Sequence, residues 1–144
     1  MSEPHPFLYR VRSRALVLCA VVWVSAFVAT HIPVPPVAGP RISDKWLHGI
    51  GYFVLFSMLA ATLAGHRAPR LRRIVGVLVV TAVYGAFDEV TQPLVGRTAS
   101  PADWTADVIG GALAVLAVES CLLLAAKKAR KGRAERSPAD DACG

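Results

Sequence analysis

The sequence predicts an all-α integral membrane protein, a four-helix bundle with both termini in the cytoplasm. Three observations predict it. First, the 144 residues are 54% apolar and 18% charged, with mean hydropathy +0.47. A soluble domain is about 45–50% apolar and about 25% charged. Second, the apolar residues gather into four runs, at 15–32, 46–64, 74–87 and 108–126. Third, the basic residues flank those runs on alternate sides. The length holds one domain. The excess of apolar residues argues against a soluble enzyme and more strongly against disorder. A net charge of +6 and a pI near 9.7 would suggest nucleic acid in a soluble chain. Here the placement assigns that charge to the membrane surface, and no nucleic-acid partner is expected.

Residues 1–14 form a basic cytoplasmic segment carrying Arg10, Arg12 and Arg14. Run one has 18 residues, within the range of about 17–25 that spans a bilayer. A cleaved signal peptide is the competing reading. No small-x-small cleavage site follows His31-Ile32-Pro33, so run one reads as a retained helix. The proline-rich stretch to Pro40 reads as an extended outer connection, because proline lacks the donor a helix needs. Run two, 19 residues, is a second span, with Asp44 or Ser43 placed to cap it. A short basic connection from Gly65 to Arg73 makes spans two and three antiparallel neighbours.

Run three is the difficult one. Its 14 residues make only about 21 Å of helix, against a hydrocarbon core of about 30 Å. Either it is a re-entrant segment, or the helix continues past Asp88 through Val90 and Leu94. Charge decides. Thirteen of the sixteen Lys and Arg residues lie before run one, between runs two and three, and after run four. The other two connections hold only Arg41, Lys45 and Arg97. The positive-inside rule then requires four spans, N-in and C-in. That places the chain in an energy-coupled plasma or inner membrane. Run four has 19 residues, and residues 15–126 form the transmembrane domain. Residues 127–144 read as a basic cytoplasmic tail, disordered, whose cations lie against anionic lipid. Cys19 and Cys121 lie inside runs and Cys143 in the tail, without disulfide or metal-ligand spacing.

The remaining polar residues fall at one membrane face. Asp44, Lys45 and His48 open span two. Asp88, Glu89 and Gln92 close span three. Gly96, Arg97, Ser100, Asp103 and Asp107 fill the last connection and begin span four. Asp44 and His48, His48 and Tyr52, Asp88 and Gln92, and Asp103 and Asp107 are each four residues apart, so each pair shares a helix face. An ionisable group in hydrocarbon costs about 2.5–3.5 kcal/mol, so it faces the bundle interior or a watery cavity. The simpler readings are helix capping by Asp103 and Asp107, and interfacial anchoring by Trp46 and Trp104. Gly110-Gly111, with Gly49 and Gly51, would permit close helix packing. Capping explains Asp88-Glu89 worst, because a helix C-terminus disfavours negative charge. Arg97, Lys45 or a metal would offset it.

The strings Asp44-Lys45-Trp46-Leu47-His48…Tyr52 and Asp88-Glu89-Val90-Thr91-Gln92…Gly96-Arg97…Ser100…Asp103…Asp107…Gly110-Gly111 resemble the VanZ-like family of small bacterial membrane proteins. The resemblance covers roughly residues 40–118. It implies a helical membrane protein related to a teicoplanin-resistance determinant. It maps the family's shared polar positions onto Asp44, His48, Asp88, Glu89, Gln92, Arg97, Asp103 and Asp107. The chain departs from the family's frequent Asn at Asp107.

Three function classes stay open. The first is binding or modification of envelope material at the outer face: a glycopeptide, a cell-wall precursor or a lipid headgroup. Arg97 would grip a carboxylate or phosphate there with its planar donor fork. The second is an intramembrane enzyme, with His48 and the acids holding a divalent metal or acting as acid and base. No H-E-x-x-H, G-x-S-x-G or paired-Cys motif supports it. The third is a proton-coupled transporter, since intramembrane acids serve proton relays. No particular cofactor is indicated, and the inner half of the bundle reads as apolar apart from Thr62 and Thr81.

Overall fold

The computed structural model describes residues 6–32 and 44–140, with side chains over 13–32 and 45–134. Four helices make up the architecture: α1 (Pro6–Thr30), α2 (Asp44–Gly65), α3 (Arg70–Thr91) and α4 (Pro101–Asp140). A short 3-10 turn, Gln92–Val95, lies between α3 and α4. All four helices are long and apolar enough to cross a membrane. The proline-rich connection lies outside the described residues.

Run three belongs to a full-length helix. α3 starts at Arg70, upstream of the apolar run, and continues past Asp88-Glu89 to Thr91. Its 22 residues make about 33 Å of helix, enough for the hydrocarbon core. The basic residues Arg70, Arg72 and Arg73 therefore form the first turn of α3, not a loop. The α2–α3 turn is tight. Ala68 N–H donates to Leu63 O at 3.0 Å and Arg67 N–H to Ala64 O at 2.9 Å. With Arg67 at φ 60°, this is the Schellman pattern that closes a helix C-terminus.

The tail expected to be disordered is helical instead, as far as Asp140. Its Ala, Lys, Arg and Glu residues are strong helix formers, and a helix already built needs no new nucleus to extend.

The closest packing is between α2 and α4, and α3 also lies against α4. Close approach is possible because a Cβ on Gly110 would collide with the carbonyl oxygen of Gly49, and one on Gly111 with the Thr81 side chain. Gly51 does not share this role: a Cβ there meets nothing within 4 Å. The core contains Tyr52, Leu55, Phe56 and Ala60 of α2, Val77 of α3, and Ala114 and Val115 of α4. Trp23 of α1 joins it edge-on to Phe56, with ring centroids 5.2 Å apart, and tilted against Tyr84 at 4.7 Å. Elsewhere α1 leaves Leu16, Val17, Val21, Val24 and Val28 exposed, as lipid-facing residues are.

The end of the bundle away from the polar cluster is not purely apolar. Arg73 donates from Nε to Glu119 Oε1 at 2.6 Å and from Nη2 to Oε2 at 3.0 Å, and both residues are buried. Arg70 adds an ion pair to the same carboxylate at 3.3 Å. The expectation that only Thr62 and Thr81 break the apolar surface there is corrected by Glu119.

Candidate functional site

The C-terminal ends of α1 and α3 meet the N-terminal ends of α2 and α4. That alternation gathers polar residues from all four helices. It also explains the helix-end electrostatics: acids at the start of α4 lie at a positive dipole end, and acids at the end of α3 at a negative one.

Asp88 is fully buried on α3 and satisfied from two sides. Thr30 Oγ1 of α1 donates to its Oδ1 at 2.7 Å, and Gln92 Nε2, one turn later, donates to Oδ2 at 3.1 Å. These donors offset the unfavourable helix end. His31 stands 3.7 Å from Asp88 Oδ1. It donates from Nδ1 to Phe27 O at 2.9 Å, and its Nε2 lies 2.9 Å from Thr91 Oγ1. Arg97 donates from Nη1 to Thr30 O at 2.8 Å, tying the loop before α4 to the end of α1.

Glu89, next on α3, points toward α4. The Ser100 backbone N–H donates to Glu89 Oε2 at 2.6 Å. Ser100 itself opens α4: Asp103 N–H lies 3.4 Å from Ser100 Oγ, with Pro101 at the first helical position. This is the usual start of a helix. The capping role weighed for Asp103 therefore falls to Ser100, and both Asp103 and Asp107 turn inward. Asp107 accepts a hydrogen bond from His48 Nδ1 of α2 at 2.9 Å. The same Nδ1 is 4.0 Å from Glu89 Oε1. His48, Glu89 and Asp103 offer ligand atoms all within 4.8 Å of one another. Among the described residues, Glu89 Oε1, Asp103 Oδ1 and Asp107 Oδ2 are buried and accept no hydrogen bond.

Beside this cluster lies a cavity of about 310 Å³ between α1, α2 and α3. His48, Asp88 and Arg97 supply its polar edge, and Leu47, Leu55 and Tyr84 part of its apolar wall. Its volume is at the lower end of the roughly 300–1,000 Å³ typical of ligand pockets.

Of the eight residues singled out from sequence, the structure brings together His48, Asp88, Glu89, Gln92, Asp103 and Asp107, with Arg97 on the cavity edge. Asp44 is the first residue of α2, and its side chain lies outside the described residues. Trp46 is exposed at the start of α2, and Trp104 donates to Ala82 O at 3.0 Å. Thr30 and His31 were missed. The available signal was a polar pair closing an apolar run at the same membrane face. No family model matches the chain, and neither a curated protein nor a solved structure matches it.

Proposed function

We propose that this membrane protein binds an amphiphilic envelope ligand at the polar end of its bundle. The ligand class is a lipid headgroup or a lipid-linked cell-wall precursor bearing phosphate or carboxylate. The cavity carries this reading: an apolar wall under a rim of His48, Asp88 and Arg97 suits a molecule with a greasy tail and an anionic head. A few convergent polar groups in an apolar pocket are what fix a ligand's orientation. The resemblance to VanZ-like proteins adds a cellular expectation, reduced sensitivity to teicoplanin-type glycopeptides, and the distribution of Lys and Arg supports a cavity at the extracytoplasmic face of the plasma membrane.

The test is native mass spectrometry of the detergent-purified protein with added phosphatidylglycerol or a polyprenyl phosphate. Wild type should retain one lipid per chain. Arg97→Ala, which removes the guanidinium, and Leu55→Trp, which fills the cavity, should each lose it. Equal lipid retention in wild type and both variants would refute the proposal. Growth inhibition by teicoplanin in a susceptible host carrying wild type or Arg97→Ala then tests the cellular expectation separately.

A further inference from the structure

We infer that His48, Glu89 and Asp103 form a binding site for one divalent first-row metal ion, zinc or manganese in type. The site is distinct from the lipid cavity, although His48 borders both, and its test needs no envelope ligand.

The argument begins with burial. His48, Glu89, Asp103 and Asp107 are 5%, 6%, 8% and 0% exposed. Buried carboxylates are normally paired with cations, saturated with donors, or bound to metal. Asp88 takes the second course, with Thr30 and Gln92 donating to its two oxygens. The other three acids do not. Each keeps one buried oxygen without a hydrogen bond among the described residues. On two of the three, the other oxygen is engaged: Glu89 Oε2 accepts from Ser100 N–H, and Asp107 Oδ1 from His48 Nδ1.

Geometry comes next. The candidate ligand atoms of His48, Glu89 and Asp103 lie within 4.8 Å of one another. Tetrahedral ligands at about 2.1 Å from zinc are about 3.4 Å apart, so closure on an ion needs a contraction of about 1 Å or less per ligand. A contraction of that size is within the reach of rotation about side-chain torsions. The three ligands come from α2, α3 and α4, so an ion would cross-link three helices at the end where they converge.

Charge supports the same conclusion. Three carboxylates surround one imidazole, which supplies at most one positive charge. A divalent ion supplies two. Mixed imidazole and carboxylate donors suit zinc or manganese better than soft copper(I), which prefers thiolate, or calcium, which prefers oxygen alone. Asp107 accepts a hydrogen bond from His48 Nδ1 at 2.9 Å and so fixes the imidazole beside Glu89 and Asp103.

The experiment uses full-length protein purified without a histidine tag, stripped with chelator and exchanged into chelator-free buffer. Mn2+ is titrated in and followed by electron paramagnetic resonance, with Zn2+ as competitor and bound metal counted by mass spectrometry. About one ion per chain is expected, as for a single three-ligand site. Glu89→Gln and Asp103→Asn keep side-chain shape and should each weaken binding at least tenfold. His66→Ala should bind like wild type: His66 is exposed just beyond the other end of α2, about 27 Å along the helix from His48. Circular dichroism and gel filtration check that each variant is folded. Wild type that takes up neither ion overturns the inference whatever the variants do. Full-strength binding in folded Glu89→Gln and Asp103→Asn, or its loss in His66→Ala, would overturn it too.

Discussion

Glu119 sits on α4 among Val115, Leu116, Val118 and Leu122, and it survives there because Arg73 meets it with two parallel hydrogen bonds. A bidentate guanidinium–carboxylate pair is the strong form of this interaction. It is still a poor reason for net stability, since both groups were taken out of water to make it. The two facts predict different outcomes for single and double substitutions. Glu119→Ala leaves Arg73 buried without its carboxylate and should cost about 3–5 kcal/mol, seen as a large fall in the thermal unfolding midpoint in detergent. Arg73→Met with Glu119→Leu should restore at least wild-type stability, because apolar replacement of a buried pair is neutral or favourable. Arg73→Lys should not behave as wild type, since an ammonium cannot reproduce the fork. A double variant less stable than Glu119→Ala alone would contradict this account. The sequence displays Glu119 as one acid inside a 19-residue run. It does not display Arg73 as its partner, because the two are 46 positions apart and Arg73 has an equally good reading as an orientation charge. The same limit hid the Thr30–Asp88 and His48–Asp107 bonds, which join residues 58 and 59 positions apart.

Helices α2 and α4 owe their close contact to backbone, not to side-chain size. At Gly110 an added methyl would strike the Gly49 carbonyl, and a backbone cannot step aside as a flexible side chain can. Gly110→Ala should therefore push the helices apart and cost about 1–3 kcal/mol, the usual range for overpacking. Gly51→Ala meets open space and should be neutral or gain up to about 1 kcal/mol from helix propensity. Paired thermal melts in the same micelle decide it: equal midpoints for the two variants would remove the close-packing explanation. Four helices, their order and the gathering of polar groups at one end were legible in the sequence, because hydropathy and four-residue spacing are local signals. The extent of α3 was not legible from hydropathy alone. Its first turn is Arg70–Arg73 and its last holds Asp88-Glu89, so the apolar window records only the middle of the helix. Glycine spacing was likewise ambiguous: Gly49, Gly51, Gly110 and Gly111 look alike in sequence, yet Gly51 faces the cavity and Gly110 faces a backbone. The helical tail was missed for the opposite reason, since polarity was read as disorder although its residues favour helix.

The whole molecule has two unlike ends, and which one meets the cytoplasm follows from charge. One end carries the acids of the candidate site with Lys45 and Arg97. The other gathers the basic first turn of α3 and the Lys127–Arg133 stretch of α4. Arg70 and Arg73 pair with Glu119 there, and Arg67, Arg72 and the five Lys and Arg residues at 127–133 lie on the same side. Lys and Arg near the span ends set orientation, and acids contribute little. The basic end should therefore be cytoplasmic and the site extracytoplasmic. α4 makes this measurable. From Pro101 to Ala134 it has 34 residues, about 50 Å of helix, so positions near its two ends lie on opposite sides of a core of about 30 Å. With the native cysteines replaced by serine, Thr98→Cys reports the site end and Ala134→Cys the basic end, both positions being exposed. A membrane-impermeant maleimide applied to intact bacterial spheroplasts should label Thr98→Cys at once and Ala134→Cys only after permeabilisation. The reverse pattern would put the metal and lipid sites in the cytoplasm, where an envelope ligand exposed only on the outer leaflet could not reach them. Labelling of both positions without permeabilisation would show that α4 does not span the membrane.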